Sequence, residues 1–175
     1  MSVNSRFVSA CAEGAVPVFN SLITLADLNS VETGVTPLIA AISGNRVEIV
    51  RRLLNHPAIN VNKADKDSWT ALHHACFQNR AEVVDIIGSA RGVNINLKEE
   101  VTGKTPLMVA VIGESLDVLT RMVKMDGVGL LLKDNNMDTA EEIARYKLQI
   151  ILFRCKLIKV LEYTSWSNNR QTDTA

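Results

Sequence analysis

The side chains best suited to chemistry in this chain are its three histidines and three cysteines. His73 and His74 are adjacent, and such a pair could supply an acid–base couple or two metal ligands. Adjacent residues on a helix point about 100 degrees apart, so the two rings cannot converge on one ligand. His56 is remote in sequence and no CxxC accompanies it, so no metal-binding constellation forms. Cys11, Cys76 and Cys155 lie far apart in apolar stretches. An odd number without a pairing pattern is expected of reduced thiols that fill small core sites in a cytosolic or nuclear protein. There is no GxSxG, P-loop or HExxH segment, and Gly44, Gly103 and Gly113 are isolated turn glycines rather than a phosphate cradle. The chain therefore reads as non-enzymatic, with no cofactor and no metal.

Nineteen basic and nineteen acidic residues cancel. Nucleic-acid binding usually leaves a basic excess on one face, so it is disfavoured. No apolar run of signal-peptide length follows Met1. The most apolar stretch, Leu148 to Ile158, is interrupted by Arg154 and Lys156 and is shorter than the roughly 20 residues a bilayer span needs. No membrane insertion is expected. Hydrophobic residues make up 47% and aromatics only 5%, which predicts a core of Leu, Val, Ile and Ala and makes each exposed aromatic conspicuous.

The elements that must position these groups are repeats. Thr36-Pro37-Leu38-Ile39-Ala40-Ala41, Thr70-Ala71-Leu72-His73-His74-Ala75, Thr105-Pro106-Leu107-Met108-Val109-Ala110 and Thr139-Ala140-Glu141-Glu142-Ile143-Ala144 follow one another at spacings of 34, 35 and 34 residues. A period of that length means stacked supersecondary units. Each Thr can cap a helix through its hydroxyl. Pro37 and Pro106 then occupy the first helical position, where a missing N–H costs nothing. Leu and Ala three residues apart build one face, and the small Ala permits close helix approach. Gly44-Asn45, Gln78-Asn79-Arg80 and Gly113-Glu114 are turns, each followed by a second helix. Those helices begin near Val47, Glu82 and Leu116. Before Thr36, Phe7, Ala10 and Cys11 match a first helix and Val16 to Leu22 a second, as an atypical terminal unit would.

These residues resemble the ankyrin repeat family. The resemblance rests on Thr36-Pro37-Leu38, Ala41, Glu48-Ile49-Val50, Leu53-Leu54, Val61-Asn62 and Asp65, and on Gly34 and Gly103 two places before their Thr. It covers about Ser5 to Leu161. It implies an all-α ankyrin-repeat solenoid of stacked helix-turn-helix units with β-hairpin loops between them. The expected division is an ankyrin repeat domain over residues 1–163. Residues 5–34 form an N-terminal capping repeat, 35–69, 70–104 and 105–138 full repeats, and 139–163 a C-terminal capping repeat. Residues 164–175 are expected to be a disordered polar tail. Departures are visible: Ser68 and Met137 replace the hairpin Gly, an extra residue at or beside Val101 lengthens one loop, and Glu141 stands where Leu is expected.

Proteins of this family usually dock partners on the concave side, on the hairpin tips and the exposed face of the first helices. Carried over, that gives Lys66, Asp67, Trp69, Phe77, Gln78, Lys98, Val101, Lys104, Ile112, Asn135 and Tyr146 as candidate partner-binding residues. Trp69, Phe77, Ile112 and Tyr146 stand out, because large apolar groups held in water are costly unless covered. His73 falls on the family's structural His, which ties the hairpin to the helix. Asn62, eight residues after Leu54, resembles sites that asparaginyl hydroxylases modify. The segment from Leu148 to Tyr163 is apolar on more than one face and is expected to pack on the stack end or to mediate self-association. The expected function is a protein- or peptide-binding module (adaptor, inhibitor or scaffold) in the cytoplasm or nucleus. The alternative is a recognition arm of a larger enzyme or receptor complex, such as a ubiquitin ligase or kinase. Met1 favours a whole protein, and the polar tail fits either a terminus or a linker.

Overall fold

The structure is a computed structural model and describes residues 1–148. The second half of the expected C-terminal repeat, Cys155, the self-association segment and the polar tail lie outside the described residues. Four pairs of helices follow in order: α1 (Val3–Glu13) with α2 (Val16–Leu22), α3 (Pro37–Ser43) with α4 (Val47–Leu54), α5 (Ala71–Phe77) with α6 (Ala81–Gly88), and α7 (Pro106–Ile112) with α8 (Leu116–Met122). A further helix opens at Ala140 and is described to residue 148. The first helices stack α1 on α3 on α5 on α7, and α4, α6 and α8 form a second layer behind them. One continuous core runs through the stack, from Phe7 through Ile39, Leu53, Leu72 and Ile87 to Met108 and Met122. The all-α repeat solenoid is thus the observed fold.

Each first helix starts the same way. The hydroxyls of Thr36, Thr70 and Thr105 accept from the N–H three residues on, satisfying one of the orphan donors of a helix N-terminus. The inner layer is sandwiched between neighbours, so every residue from Pro37 to Ile42 and from Pro106 to Val111 is buried. The outer layer faces water on one side. In α4 only Ile49, Val50 and Leu53 are buried, the stripe expected of a surface helix. The turn within each pair uses a left-handed residue: Gly14, Asn45, Asn79 and Glu114. Gly44, just before one such turn, has a direct steric reason. A Cβ there would come 2.0 Å from the Ala12 carbonyl oxygen of the preceding unit.

Between units the chain forms hairpin turns, and no residue of them is extended into a strand ladder among the described residues. The three hairpins that follow α4, α6 and α8 are each spanned by a backbone bond from their leading acidic residue: Asp65 N–H to the Trp69 carbonyl, Glu99 N–H to the Lys104 carbonyl, and Asp134 N–H to the Asp138 carbonyl. The first and third span four residues and the second spans five, so the additional residue of the 35-residue step lies inside this hairpin.

Behind the hairpins, an asparagine ladder joins the units. Asn29 Nδ2 donates to the Ala58 carbonyl and its Oδ1 accepts from Asn60 N–H. Asn62 does the same with Gly92 and Asn94 at 2.8 Å each, and Asn96 with Gly127 and Gly129.

Candidate functional site

A buried carboxylate organises each of these three hairpins. Asp65 Oδ1 accepts from the N–H groups of Asp67 and Trp69, both at 2.9 Å. Asp134 Oδ1 accepts from Asn136 and Asp138. The wider hairpin carries Glu99 instead. Its carboxylate accepts from Val101 and Thr102 N–H at 2.7 Å and from Lys104 N–H at 3.1 Å, and the Thr102 hydroxyl also donates to it. One more residue in the loop is thus matched by one more methylene in the side chain. Burial works to raise the Glu99 carboxyl, but the bonds from Thr102, Lys104 and Val101 outweigh it and hold it below the usual carboxylate range. Asp134 is likewise held low: burial opposes, and its backbone donors and the Lys104 ammonium prevail.

The adjacent histidines have separate tasks. His73 is fully buried. Its Nδ1 accepts from Thr70 N–H at 3.2 Å and meets the Thr70 hydroxyl at 2.8 Å, while Nε2 donates to the Lys104 carbonyl of the next unit at 3.1 Å. Those partners define a neutral ring protonated on Nε2, and burial lowers its pKa. His73 therefore ties hairpin, helix and neighbouring hairpin together, as the family resemblance implied. His74 points elsewhere, to Asp65 Oδ2 at 2.7 Å. Met108 and Glu142 take the place of His73 in the following units, and the Glu142 carboxylate accepts from both Thr139 N–H and its hydroxyl. Cys11 and Cys76 are free and buried. Burial pushes the Cys11 thiol up to about 12 and raises that of Cys76, which makes both poor nucleophiles.

Backbone bonds also link neighbouring hairpins. Lys66 N–H donates to the Gly34 carbonyl, and Asn135 N–H to the Thr102 carbonyl. Among the described residues no such bond joins the hairpin of Asp65 to that of Glu99. There the stack opens into a cleft of about 480 Å³, lined by Asp67, Trp69, Phe77, Glu99, Val101, Thr102, Lys104, Val109 and Ile112. Trp69 forms one wall. It is half-buried, with its ring edge-on to Phe77 at 5.5 Å and to His74 at 5.4 Å. Trp69 is thus braced on the helix that follows it, α5, rather than freely held out. Phe77 is 49% exposed and Val101, at the loop tip, 74%. The buried Val109 and the half-buried Ile112, both on α7, complete the apolar lining.

Of the residues singled out in the sequence, Asp67, Trp69, Phe77, Val101, Lys104 and Ile112 meet at this cleft. The others do not line it. Lys66 lies against Gly34, Gln78 Nε2 donates to the Ser43 hydroxyl, and Lys98 Nζ donates to the Lys133 carbonyl. Asn135 Nδ2 donates to the Val101 carbonyl, steadying the loop from behind. Tyr146 is exposed on the final helix. Asn62 belongs to the asparagine ladder. Glu99 and Val109 were not singled out. Glu99 at the Asp position of a lengthened loop was the available signal. A larger depression of about 890 Å³ lies beside α6 and α8. The Asp85–Arg121 ion pair and the ladder residue Asn96 line it, and no aromatic group does, so we place the candidate site at the smaller apolar cleft.

Stacked helix pairs joined by capped hairpins define a helical-repeat solenoid, a class whose sites are surfaces laid across neighbouring units. Residues 7–99 match ankyrin repeats in three copies, and the chain belongs to the ankyrin repeat family. Ankyrin repeats indicate a protein–protein interaction module, and the family is generally non-enzymatic. The chain is 33% identical over 103 residues, 58% of its length, to the human SMC5-SMC6 complex localization factor protein 1. It is 30% identical over 118 residues, 66% of its length, to the Bos taurus protein of that name. With a Dictyostelium discoideum protein named as a probable serine/threonine-protein kinase it shares 34% identity over 103 residues, 57% of the chain. The chain spans only 10–12% of the length of these relatives. Among the described residues no helix is long and apolar enough to cross a membrane.

Proposed function

We propose that this chain captures a protein or peptide at the cleft between the hairpins of Asp65 and Glu99, with Phe77, Val101 and Ile112 as principal contacts and Trp69 as the wall. The observation that carries the reading is that cleft: an apolar, aromatic-walled opening at the one step among the described residues where the hairpins are not bonded to each other. Large apolar groups grouped in such a place are characteristic of interface anchors. The module acts as an adaptor, inhibitor or scaffold, without catalysis of its own, in the cytoplasm or nucleus. Because the relatives it matches are far longer and include a localization factor and a named kinase, a second reading is that it serves as the recognition arm of a larger assembly.

Phe77→Ala and Ile112→Ala test the surface. Trp69→Ala is less clean, since its ring braces His74 and Phe77. Capture of partners from a native extract should fall for both alanine variants, with melting temperatures within about 2 °C of wild type, the range of surface changes. Undiminished capture by both variants refutes the cleft. For the second reading, an antibody to this chain should detect a larger native polypeptide. Hydroxylation of Asn62 is proposed separately. It requires the ladder to open, because both sides of the amide are bonded, and a peptide mass without added oxygen in protein from its native source ends it.

A further inference from the structure

Resting on that reading, we propose that the occupant of the cleft is an extended, basic peptide segment: one large apolar side chain enters between Trp69, Phe77 and Ile112, and a neighbouring lysine or arginine pairs with Asp67. Charge and backbone both point this way. Lys104, the cation at the cleft, is already engaged, its Nζ lying 3.4 Å from Asp134 Oδ2. Lys66, next to Asp67 in sequence, lies over Gly34 toward the preceding unit, its Cδ 3.1 Å from where a Gly34 Cβ would sit. The acids are not offset in this way. Glu99 is buried and its oxygens are taken up by its own hairpin. Asp67 sits exposed at the tip, and among the described residues its carboxylate accepts no hydrogen bond and joins no ion pair. The charge left free at the mouth is therefore negative. An anionic segment would meet the Asp67 carboxylate without compensation, and like charges brought together at an interface suppress binding.

The backbone argues for an extended segment. Where the outer hairpin pairs are bonded, the N–H groups of Lys66 and Asn135 meet carbonyls of the hairpin before them. Between the two central hairpins the Glu100 N–H and the Ser68 carbonyl have no partner among the described residues. A peptide main chain laid along the opening can meet such groups as an added strand does. A volume of about 480 Å³ lies in the range of clefts that enclose a small ligand, which suffices for one large side chain and its flanking backbone.

The test uses the full chain and three blocked, fluorescently labelled pentapeptides: phenylalanine between two lysines, phenylalanine between two glutamates, and alanine between two lysines. Binding is read by fluorescence anisotropy. The lysine–phenylalanine peptide should bind about tenfold more tightly than its glutamate twin, with the preference weakening at high salt. Asp67→Asn, at an exposed tip, should bring the two within about threefold, and the alanine peptide should bind weakest. Equal affinities for the two charge twins, with both weakened by Phe77→Ala, overturn the charge inference and leave the cleft as the contact surface. No saturable binding of any peptide at millimolar concentration, or binding indifferent to Phe77→Ala, overturns both.

Discussion

Glu99→Asp isolates the device that shapes the cleft. The substitution keeps the charge and removes one methylene. Asp65 and Asp134 show what an aspartate can do from this position: it reaches N–H groups two and four residues on. Glu99 reaches the N–H five residues on, at Lys104, as well as Val101 and Thr102. The shorter side chain cannot span the wider loop, so at least one charge-assisted bond is lost and a second is stretched. Hydrogen bonds to a charged group contribute about 1.5–3 kcal/mol each, and partial rehydration at the loop moderates the loss. We expect about 2–3 kcal/mol of destabilisation by urea denaturation. For a chain of 175 residues that corresponds to about 4–12 °C in melting temperature. Deleting Val101 alone leaves a glutamate too long for a four-residue hairpin and also destabilises. Combining the deletion with Glu99→Asp recreates the geometry of the Asp65 hairpin, so the double variant should recover at least about 1 kcal/mol relative to the sum of the two changes. The combined variant should also close the cleft and lose the peptide binding. A Glu99→Asp cost below about 0.5 kcal/mol, or strict additivity in the double variant, refutes the argument.

Further expectations follow from the same packing. Asn62→Ala removes two inter-unit bonds of 2.8 Å and should cost about 2 kcal/mol, whereas Asn136→Ala at an exposed hairpin tip should fall within about 0.5 kcal/mol of wild type by the same denaturant titration. Met137 holds φ 68 with its side chain 65% exposed, so Met137→Gly should raise the urea midpoint by about 0.5–1 kcal/mol in stability through relief of left-handed strain; a lower midpoint contradicts this. Burial holds the folded pKa of His73 below the usual 6.5 of histidine, so its stabilisation is fully present above that pH and is lost as pH falls toward the folded value. The unfolded chain takes up the proton first, giving a stability slope of up to about 1.4 kcal/mol per pH unit below pH 6.5. His73→Met, which copies Met108 of the next unit, should flatten that slope in pH-dependent melts.

The architecture was legible because its causes are local and repeated. A Thr at the N-cap of α3, α5 and α7, Pro after it in two of them and small residues on the inner face recur at nearly fixed spacing, and each states the same thing about its helix. The helix bounds Pro37–Ser43 and Val47–Leu54 follow from those caps and turns alone. The candidate site was only half legible. Exposure of Phe77 follows from its place at the end of a first helix, but the tilt of Trp69 onto His74 and Phe77 depends on how Asp65 gathers its hairpin. Lys66 and Gln78 occupy positions the family exposes, yet each leans on the unit before it. Sequence register assigns a residue to a face and says nothing of which neighbour its side chain will find. The asparagine ladder shows the opposite case. Leu28-Asn29, Val61-Asn62 and Ile95-Asn96 end successive units, a periodic signal that becomes meaningful once each amide is seen bridging two loops.

The additional residue connects fold and site. In a stack of identical units every hairpin would bond to the one before it, and the concave surface would be a closed ridge of main chain. A 34-residue step does this at Lys66 and again at Asn135. The 35-residue step widens one hairpin and requires the longer reach of Glu99 to hold it. It lifts Val101 to the tip and leaves the hairpins on either side of the opening unbonded. The apolar cleft opens at that step, with Trp69 and Phe77 on one side and Ile112 on the other. What distinguishes the second and third units is the conjunction of aromatic wall, interrupted hairpin ladder and a free carboxylate at Asp67. On the proposed reading, one inserted residue gives a repeating scaffold its particular place to bind.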